Sequence, residues 1–190
     1  MGAPVARLEK TAGMHRFTWD LRYPGPWEST ARPDGGNGPM AVPGRYTVRL
    51  TVGTQTMTQP LTVVEDPRIT KDGITTPILR AQFAHNMRVR DLVSEVNRLV
   101  ARVEAARRRL RGASGAAADT LARVNALADA LITSSIRYSE PKLQTHITYL
   151  YEMTNMADQK ISNDAVSRYE TLRKELDRRL KEADEILGRN

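Results

Sequence analysis

The sequence contains no cysteine and few aromatic residues, with two Trp, six Tyr and two Phe among 190 residues. Without cysteine, the chain cannot form a disulfide framework, a thiolate zinc site or a cysteine nucleophile. No stretch approaches the roughly 18 consecutive apolar residues that a membrane-spanning helix needs. The first residues also lack the apolar segment of a signal peptide. We therefore expect no membrane span and no signal peptide in this chain, and the sequence leaves its compartment open.

The sequence also lacks the short motifs that mark common enzyme chemistry. It contains no GxSxG, no glycine-rich phosphate loop and no HExxH, and His15, His85 and His146 lie far apart in the chain. Glycoside hydrolysis needs two carboxylates held across a cleft. The acids of the N-terminal third are instead scattered through predicted strands and turns: Asp20, Glu28, Asp34, Glu65, Asp66 and Asp72. The sequence therefore predicts no catalytic, cofactor-binding or metal-binding residue, and we expect that the chain is not an enzyme.

The charge of the chain is basic but evenly spread. Its 29 Lys and Arg and 22 Asp and Glu give a net charge of +7. The densest basic run comprises Arg107, Arg108, Arg109 and Arg111, which point around a predicted helix instead of forming one stripe. Single-stranded nucleic acids are usually bound by basic grooves with interleaved aromatic rings, and this run has none. We therefore expect no nucleic-acid partner.

The N-terminal third shows the alternating pattern of β-strands, bounded by Gly and Pro. From Tyr46 to Val52, apolar residues alternate with Thr and Arg, which predicts a strand with one face in a core and one in solvent. Pro43-Gly44 fits a type II turn with a positive φ at Gly44. Gly53-Thr54 can close a hairpin onto a strand at 57–63. The segment 24–42 is rich in Gly and Pro and predicts a long loop.

From residue 75 onward, the apolar period changes from two to about three and a half, which predicts helices. We expect helices near 77–111, 115–136, 142–159 and 163–188, packed as an antiparallel bundle or as long hairpins. The first has a coiled-coil-like apolar seam: Val89, Leu92, Val96, Leu99, Val103, Ala106 and Leu110. Gln82 and His85 extend this seam, where they either fix the helix register through a buried polar contact or lie at a partly exposed helix end.

Three motifs in the N-terminal part occur together in a recognisable order and spacing. They are Gly13, Arg16, Phe17 and Trp19-Asp20-Leu21-Arg22, then Pro43-Gly44 with the strand to Val52, then Asp66-Pro67-Arg68. This set resembles the region after the β-propeller in bacterial sortilin-like or Asp-box (BNR) repeat proteins, which are often labelled glycosyl hydrolase or sialidase-like. The resemblance is strong over residues 13–68 and rests only on pattern beyond them.

The resemblance implies a two-part α+β fold. Residues 1–68 are expected to form an immunoglobulin-like antiparallel β-sandwich of about five or six strands, similar to that of the flagellar hook-capping protein. Residues 69–76 form a linker and residues 77–190 a helical domain. The implied function is a non-catalytic accessory module that packs against or stabilises a β-propeller, where any catalysis of the parent protein would lie. A secreted, periplasmic or cell-surface location follows if the parent resembles its family.

Three aromatic residues are the candidate interaction surface. Tyr23 and Trp27 lie in or next to the Gly/Pro loop, where exposed rings favour contact with a ligand or another domain. Trp19 either fills a small sandwich core or stacks on a sugar beside Asp20. Two alternative functions therefore stay open: a carbohydrate-binding module that uses these rings, and a helical domain that self-associates through the seam.

Overall fold

A computed structural model describes residues 8–28 and 37–188 of the chain. Within these ranges, the fold is α+β, with one antiparallel two-stranded sheet and five helices. The elements in chain order are β1 (Gly44–Val52), β2 (Gln55–Val63), α1 (Pro67–Lys71), α2 (Thr76–Arg109), α3 (Ala116–Leu131), α4 (Leu143–Asn155) and α5 (Asn163–Leu187). The predicted helical segments overlap α2 to α5, and α1 lies across the start of the predicted linker.

The predicted immunoglobulin-like β-sandwich is wrong, because the described residues contain only two strands, in one sheet. The described residues before β1, 8–28 and 37–43, contribute no strand, only an isolated bridge between Arg22 and Met40. Their Trp-Asp-Leu-Arg sequence forms a tight turn instead. Leu21 has a φ of 62°, the Asp20 carboxylate accepts from the Arg22 amide at 2.9 Å, and the Trp19 indole donates to the Arg22 carbonyl at 3.0 Å. These local bonds occupy the groups that a strand would use for its ladder.

The predicted hairpin is confirmed, and its register is regular from Gly44↔Val63 to Val52↔Gln55. Gly53, with a φ of 57°, supplies the left-handed conformation that a two-residue loop requires. The predicted type II turn at Pro43-Gly44 is wrong, because Gly44 begins β1 and is not among the glycines with positive φ. The Tyr46 hydroxyl instead fixes the entry to β1 by donating to the Val42 carbonyl at 2.6 Å.

The core of the protein lies among the four long helices. Helix α2, 34 residues long, contacts α3, α4 and α5, and buries almost its whole predicted seam. Glycines at 112 and 115, both with positive φ, turn the chain back after α2. The largest fully buried side chains come from all four helices: Leu92, Leu127, Leu131, Ile147, Leu172 and Leu176. The bundle is therefore closed around α2 without help from the sheet.

Two acidic residues connect the end of β2 to the helices. The Glu65 carboxylate accepts from the Thr76 amide at 2.8 Å and from the Thr76 hydroxyl, so it caps the N-terminus of α2 from outside the helix. Asp66 caps α1 by accepting from the Arg68 amide at 2.9 Å. Its hydrogen bonds with the Arg68 side chain lower the pKa of Asp66 to about 2. The hairpin is thus attached to the bundle at its base.

Candidate protein-interaction surface

Tyr23 and Trp27 lie on a segment that follows the side of α2. The Tyr23 ring packs edge-on against Phe83 with ring centres 4.9 Å apart. The Trp27 backbone is held at both ends, since its amide donates to the Ser94 hydroxyl and its carbonyl accepts from Asn97, each at 2.9 Å. The Trp27 residue stays 37% exposed. Of the two rings, Trp27 therefore offers the more accessible surface.

Trp19 lies at the base of the hairpin. Its ring packs edge-on against Tyr46, with centres 5.7 Å apart, and is half-buried. Burial raises the pKa of the Tyr46 hydroxyl above its usual value. Trp19 thus contacts β1, whereas Tyr23 and Trp27 contact α2. The described contacts of the three rings are within the chain, and they do not join Trp19 to the other two in one stacking platform.

The hairpin exposes an apolar surface that sequence reasoning assigned to a core. Paired residues of an antiparallel ladder point to the same side, so one side collects the apolar residues of both strands. We call this side the apolar hairpin face: Tyr46, Val48, Leu50, Val52, Met57 and Leu61, with Gln55 and Gln59. Val48 is 53% exposed and Val52 60% exposed. Among the described elements, the two strands contact each other and none of the helices.

The other side of the ribbon, the polar hairpin face, is basic. It consists of Arg45, Thr47, Arg49 and Thr51 from β1, with Thr56, Thr58, Pro60 and Thr62 from β2. All eight residues are exposed. The face carries two guanidinium groups and no carboxylate. The ribbon is therefore amphipathic. Trp19 packs against Tyr46 at the base of the apolar hairpin face, and the rest of that face lies exposed in the described structure.

The amphipathic ribbon is expected to be only marginally stable by itself. An isolated two-stranded hairpin is marginally stable in water, and a third strand or a packed face is usually needed. Contiguous apolar patches on soluble proteins often mark interaction sites. The signal in the sequence was the alternation of residues 46–52, which correctly predicts two faces. It could not show that the residues before β1 would fail to supply a second sheet.

A second surface feature is a groove of about 550 Å³ between α2, α4 and the Trp27 segment. Three carboxylates line it, from Glu28, Glu104 and Glu152. Asn97 and Gln144, also in the lining, hydrogen-bond to each other at 2.9 Å. Residues 29–36, which follow Glu28 in the sequence, lie outside the described part of the chain. Asp34, one of the scattered carboxylates, also lies in that segment.

The predicted polar extension of the α2 seam is buried. Gln82 and His85 are each 6% exposed, and Asn86, which the sequence did not single out, is buried beside them. Gln82 donates to the Thr154 and Ala157 carbonyls, and Asn86 donates to the Thr154 carbonyl, so these side chains cap the C-terminus of α4. His85 packs beside Tyr169, and its Nε2 has no hydrogen-bond partner in the described structure. Burial, with a smaller effect from Arg88, lowers the pKa of His85.

The remaining histidines do not join this cluster: His15 hydrogen-bonds the Thr11 carbonyl at 2.7 Å, and His146 lies on α4. Within residues 8–28 and 37–188, no three His, Asp or Glu side chains come together as a metal site would require. No helix in the same residues is long and apolar enough to cross a membrane.

Comparison with known proteins yields no relative. No protein-family model, no curated protein and no solved structure matches the chain. We therefore infer function from the hairpin and its surroundings.

Proposed function

We propose that this chain is a non-catalytic accessory module that stabilises a β-propeller partner by packing against it, and that the hairpin is its docking element. The observation that carries the proposal is the apolar hairpin face, which is exposed over two nine-residue strands. The β-propeller as partner is the expectation that the resemblance supplied. The hairpin supports the more general part, which is docking onto another protein surface.

The apolar hairpin face offers enough surface for specific binding. Full burial of one Val, Leu or Met side chain contributes about 1.5–3 kcal/mol. Val48, Leu50, Val52, Met57 and Leu61 are between 36% and 60% exposed. Covering the exposed part of each therefore contributes on the order of 1 kcal/mol. A total on the order of 5 kcal/mol offsets a large share of the entropy lost on association, and contacts from the base of the hairpin add to it.

The base of the hairpin is held in place for such an interaction. Trp19 packs on Tyr46 near the start of β1, and Glu65 ties the end of β2 to α2. A preorganised docking element loses less conformational entropy on binding. Helical self-association, by contrast, depended on an uncovered seam, and α3, α4 and α5 cover that seam. For this reason we place the docking surface on the hairpin.

The test uses the β-propeller encoded nearest to this chain in its genome, purified as a separate protein and titrated by calorimetry. We expect binding and a higher melting temperature for the propeller. Val48→Asp/Leu50→Asp should weaken binding at least about 100-fold, because two charges would enter an apolar contact. The matched control is Thr56→Asp/Thr58→Asp on the β2 part of the polar hairpin face, with binding expected to stay within about tenfold of wild type. Absence of any affinity, or equal losses in both variants, contradicts the proposal.

A further inference from the structure

The two outer edges of the hairpin differ in their ability to accept another strand. In an antiparallel pair, directly opposed residues alternate between hydrogen-bonded and non-hydrogen-bonded pairs. Val52 and Gln55 flank the two-residue loop and form the first hydrogen-bonded pair. The non-hydrogen-bonded pairs therefore include Thr51↔Thr56 and Thr47↔Pro60. The backbone N–H and C=O groups of residues in these pairs point away from the hairpin.

Proline blocks one of the two edges. On β2, the outward-facing positions are 56, 58, 60 and 62, and position 60 is Pro, which has no N–H to donate. On β1, the outward-facing positions are Arg45, Thr47, Arg49 and Thr51, all of which carry an N–H. No residue of 8–28 or 37–188 pairs with this edge. Among the described residues, the outer edge of β1 is therefore complete and open, whereas that of β2 is interrupted by Pro60.

From these observations we infer that the outer edge of β1 binds an extended segment of a partner protein by strand addition, and that the segment alternates acidic and apolar residues. The inference rests on the proposed function and specifies its chemistry. Strand addition obtains affinity from main-chain hydrogen bonds and specificity from alternate side chains. An added strand would extend both faces of the ribbon, so its apolar side chains would lie beside Val48 and Leu50.

The acidic residues of the partner follow from the charge of the polar hairpin face. Arg45 and Arg49 lie four residues apart on the open strand, both exposed and on the same side, with Thr47 between them on that side. Opposite charges directly across neighbouring strands are stabilising, and like charges are destabilising. A carboxylate side chain at alternate positions of the added strand would face these two guanidinium groups. No carboxylate of the ribbon itself neutralises them.

The same charges disfavour a second copy of this chain as the added strand. If two copies paired through β1, their four guanidinium groups would lie on one side of a four-stranded sheet. Such a pairing places like charges on adjacent strands. The partner segment is thus expected to differ from β1 in the sign of its charge.

The test uses the full chain, labelled with ¹⁵N, and two nine-residue peptides. One alternates Glu with Val, and the matched peptide alternates Lys with Val. We expect the Glu peptide to shift and protect the amides of Arg45, Thr47, Arg49 and Thr51 in NMR spectra, and the Lys peptide to bind about tenfold more weakly. Arg45→Glu/Arg49→Glu should reverse this preference. Equal binding of both peptides, or shifts confined to the β2 edge, overturns the inference.

Two proline variants separate edge pairing from contact with the apolar hairpin face. Thr47→Pro removes an outward N–H from the open edge, and Thr58→Pro removes one from the edge that Pro60 already interrupts. Thr47→Pro should weaken binding of the Glu peptide at least about tenfold, whereas Thr58→Pro should bind it within about twofold of wild type. Cross-strand amide contacts in both variants verify that the hairpin is still folded. Should Thr47→Pro distort it, the charge-reversed variant alone decides the question.

Failure of this inference is distinguishable from failure of the proposed function. If the propeller binds Thr47→Pro as tightly as wild type but does not bind Val48→Asp/Leu50→Asp, docking through the apolar face stands and strand addition is refuted. If the Glu peptide binds as expected and the propeller does not, the propeller is the wrong partner. Chemical shifts of the β1 edge that change with protein concentration alone would show self-pairing, which also refutes the inference.

Discussion

Replacing Gln82 by Met should destabilise the helical bundle by about 2 kcal/mol, because Gln82 satisfies backbone groups beyond the end of α4. The Gln82 amide donates to the Ala157 carbonyl at 2.7 Å and to the Thr154 carbonyl at 2.9 Å. Its oxygen accepts from the Gln159 amide at 3.2 Å. Helix α4 ends without a glycine or a capping backbone bond, so its last carbonyls depend on such side chains.

The magnitude follows from what the substitution leaves unpaired. The Thr154 carbonyl keeps its bond from Asn86 at 2.9 Å, so only the Ala157 carbonyl and the Gln159 amide lose their partners. Each buried unpaired group costs about 1–3 kcal/mol. Ala157 is exposed and Gln159 half-buried, so water reaches both and the lower value applies. Met has a volume close to that of Gln, so the packing around α2 should change little.

Urea denaturation followed by circular dichroism measures this effect. A loss of about 2 kcal/mol corresponds to a melting temperature lower by about 4–8 °C for a chain of this size. The control is Gln144→Met, because Gln144 makes one half-buried bond to Asn97 at 2.9 Å and should cost about 1 kcal/mol or less. If Gln82→Met costs no more than Gln144→Met, the capping role assigned to Gln82 is refuted.

Two further predictions concern buried contacts. The lowered pKa of His85 means that the unfolded state binds the proton more tightly. The contribution of neutral His85 to stability is therefore fully present above the unfolded pKa of about 6.5 and is lost as the pH falls through the lower folded pKa. Between pH 7.5 and pH 5, the melting temperature should fall less for His85→Gln than for wild type. Equal falls in the two proteins would contradict this. Gly38→Ala should destabilise the N-terminal segment by more than about 2 kcal/mol, because an added Cβ would lie 1.6 Å from the Tyr23 carbonyl oxygen. Thermal denaturation measures this loss. The control is Gly44→Ala, where an added Cβ has no contact closer than 4.0 Å.

The helical half of the fold was predictable from the sequence because its apolar period is long and regular. The seam from Val89 to Ala106 needs only neighbouring helices to become a core, and glycines at 112 and 115 indicate where the chain turns back. The start of α5 depends on an equally local contact, because the hydroxyl of Ser162, directly before the helix, accepts from the Ala165 amide at 3.1 Å. The cap of α2 was not predictable, because Glu65 reaches it from the end of β2.

The β half shows the limit of pattern reasoning. Alternation in residues 46–52 specifies two different faces, but it does not specify what covers the apolar one. The sandwich prediction required strands from the Trp19 region, and the positive φ of Leu21 with the local bonds of Asp20 and Trp19 prevents them there. The sequence favours Tyr23 and Trp27 as interaction residues because of their position in a Gly/Pro loop. Their backbone and ring contacts with α2 depend on Ser94, Asn97 and Phe83, which are about 60 to 70 residues away in sequence.

The contrast between the two edges of the hairpin argues against an element that serves only as a loop. A simple connecting loop does not require two nine-residue strands in regular register with apolar residues on one side. Edge strands that must avoid pairing commonly carry proline or charge, and β2 carries proline at an outward-facing position. The outer edge of β1 carries two arginines instead, which repel a copy of the same strand but attract an acidic one. The hairpin therefore combines protection against unselective pairing with one edge that selects its partner by charge.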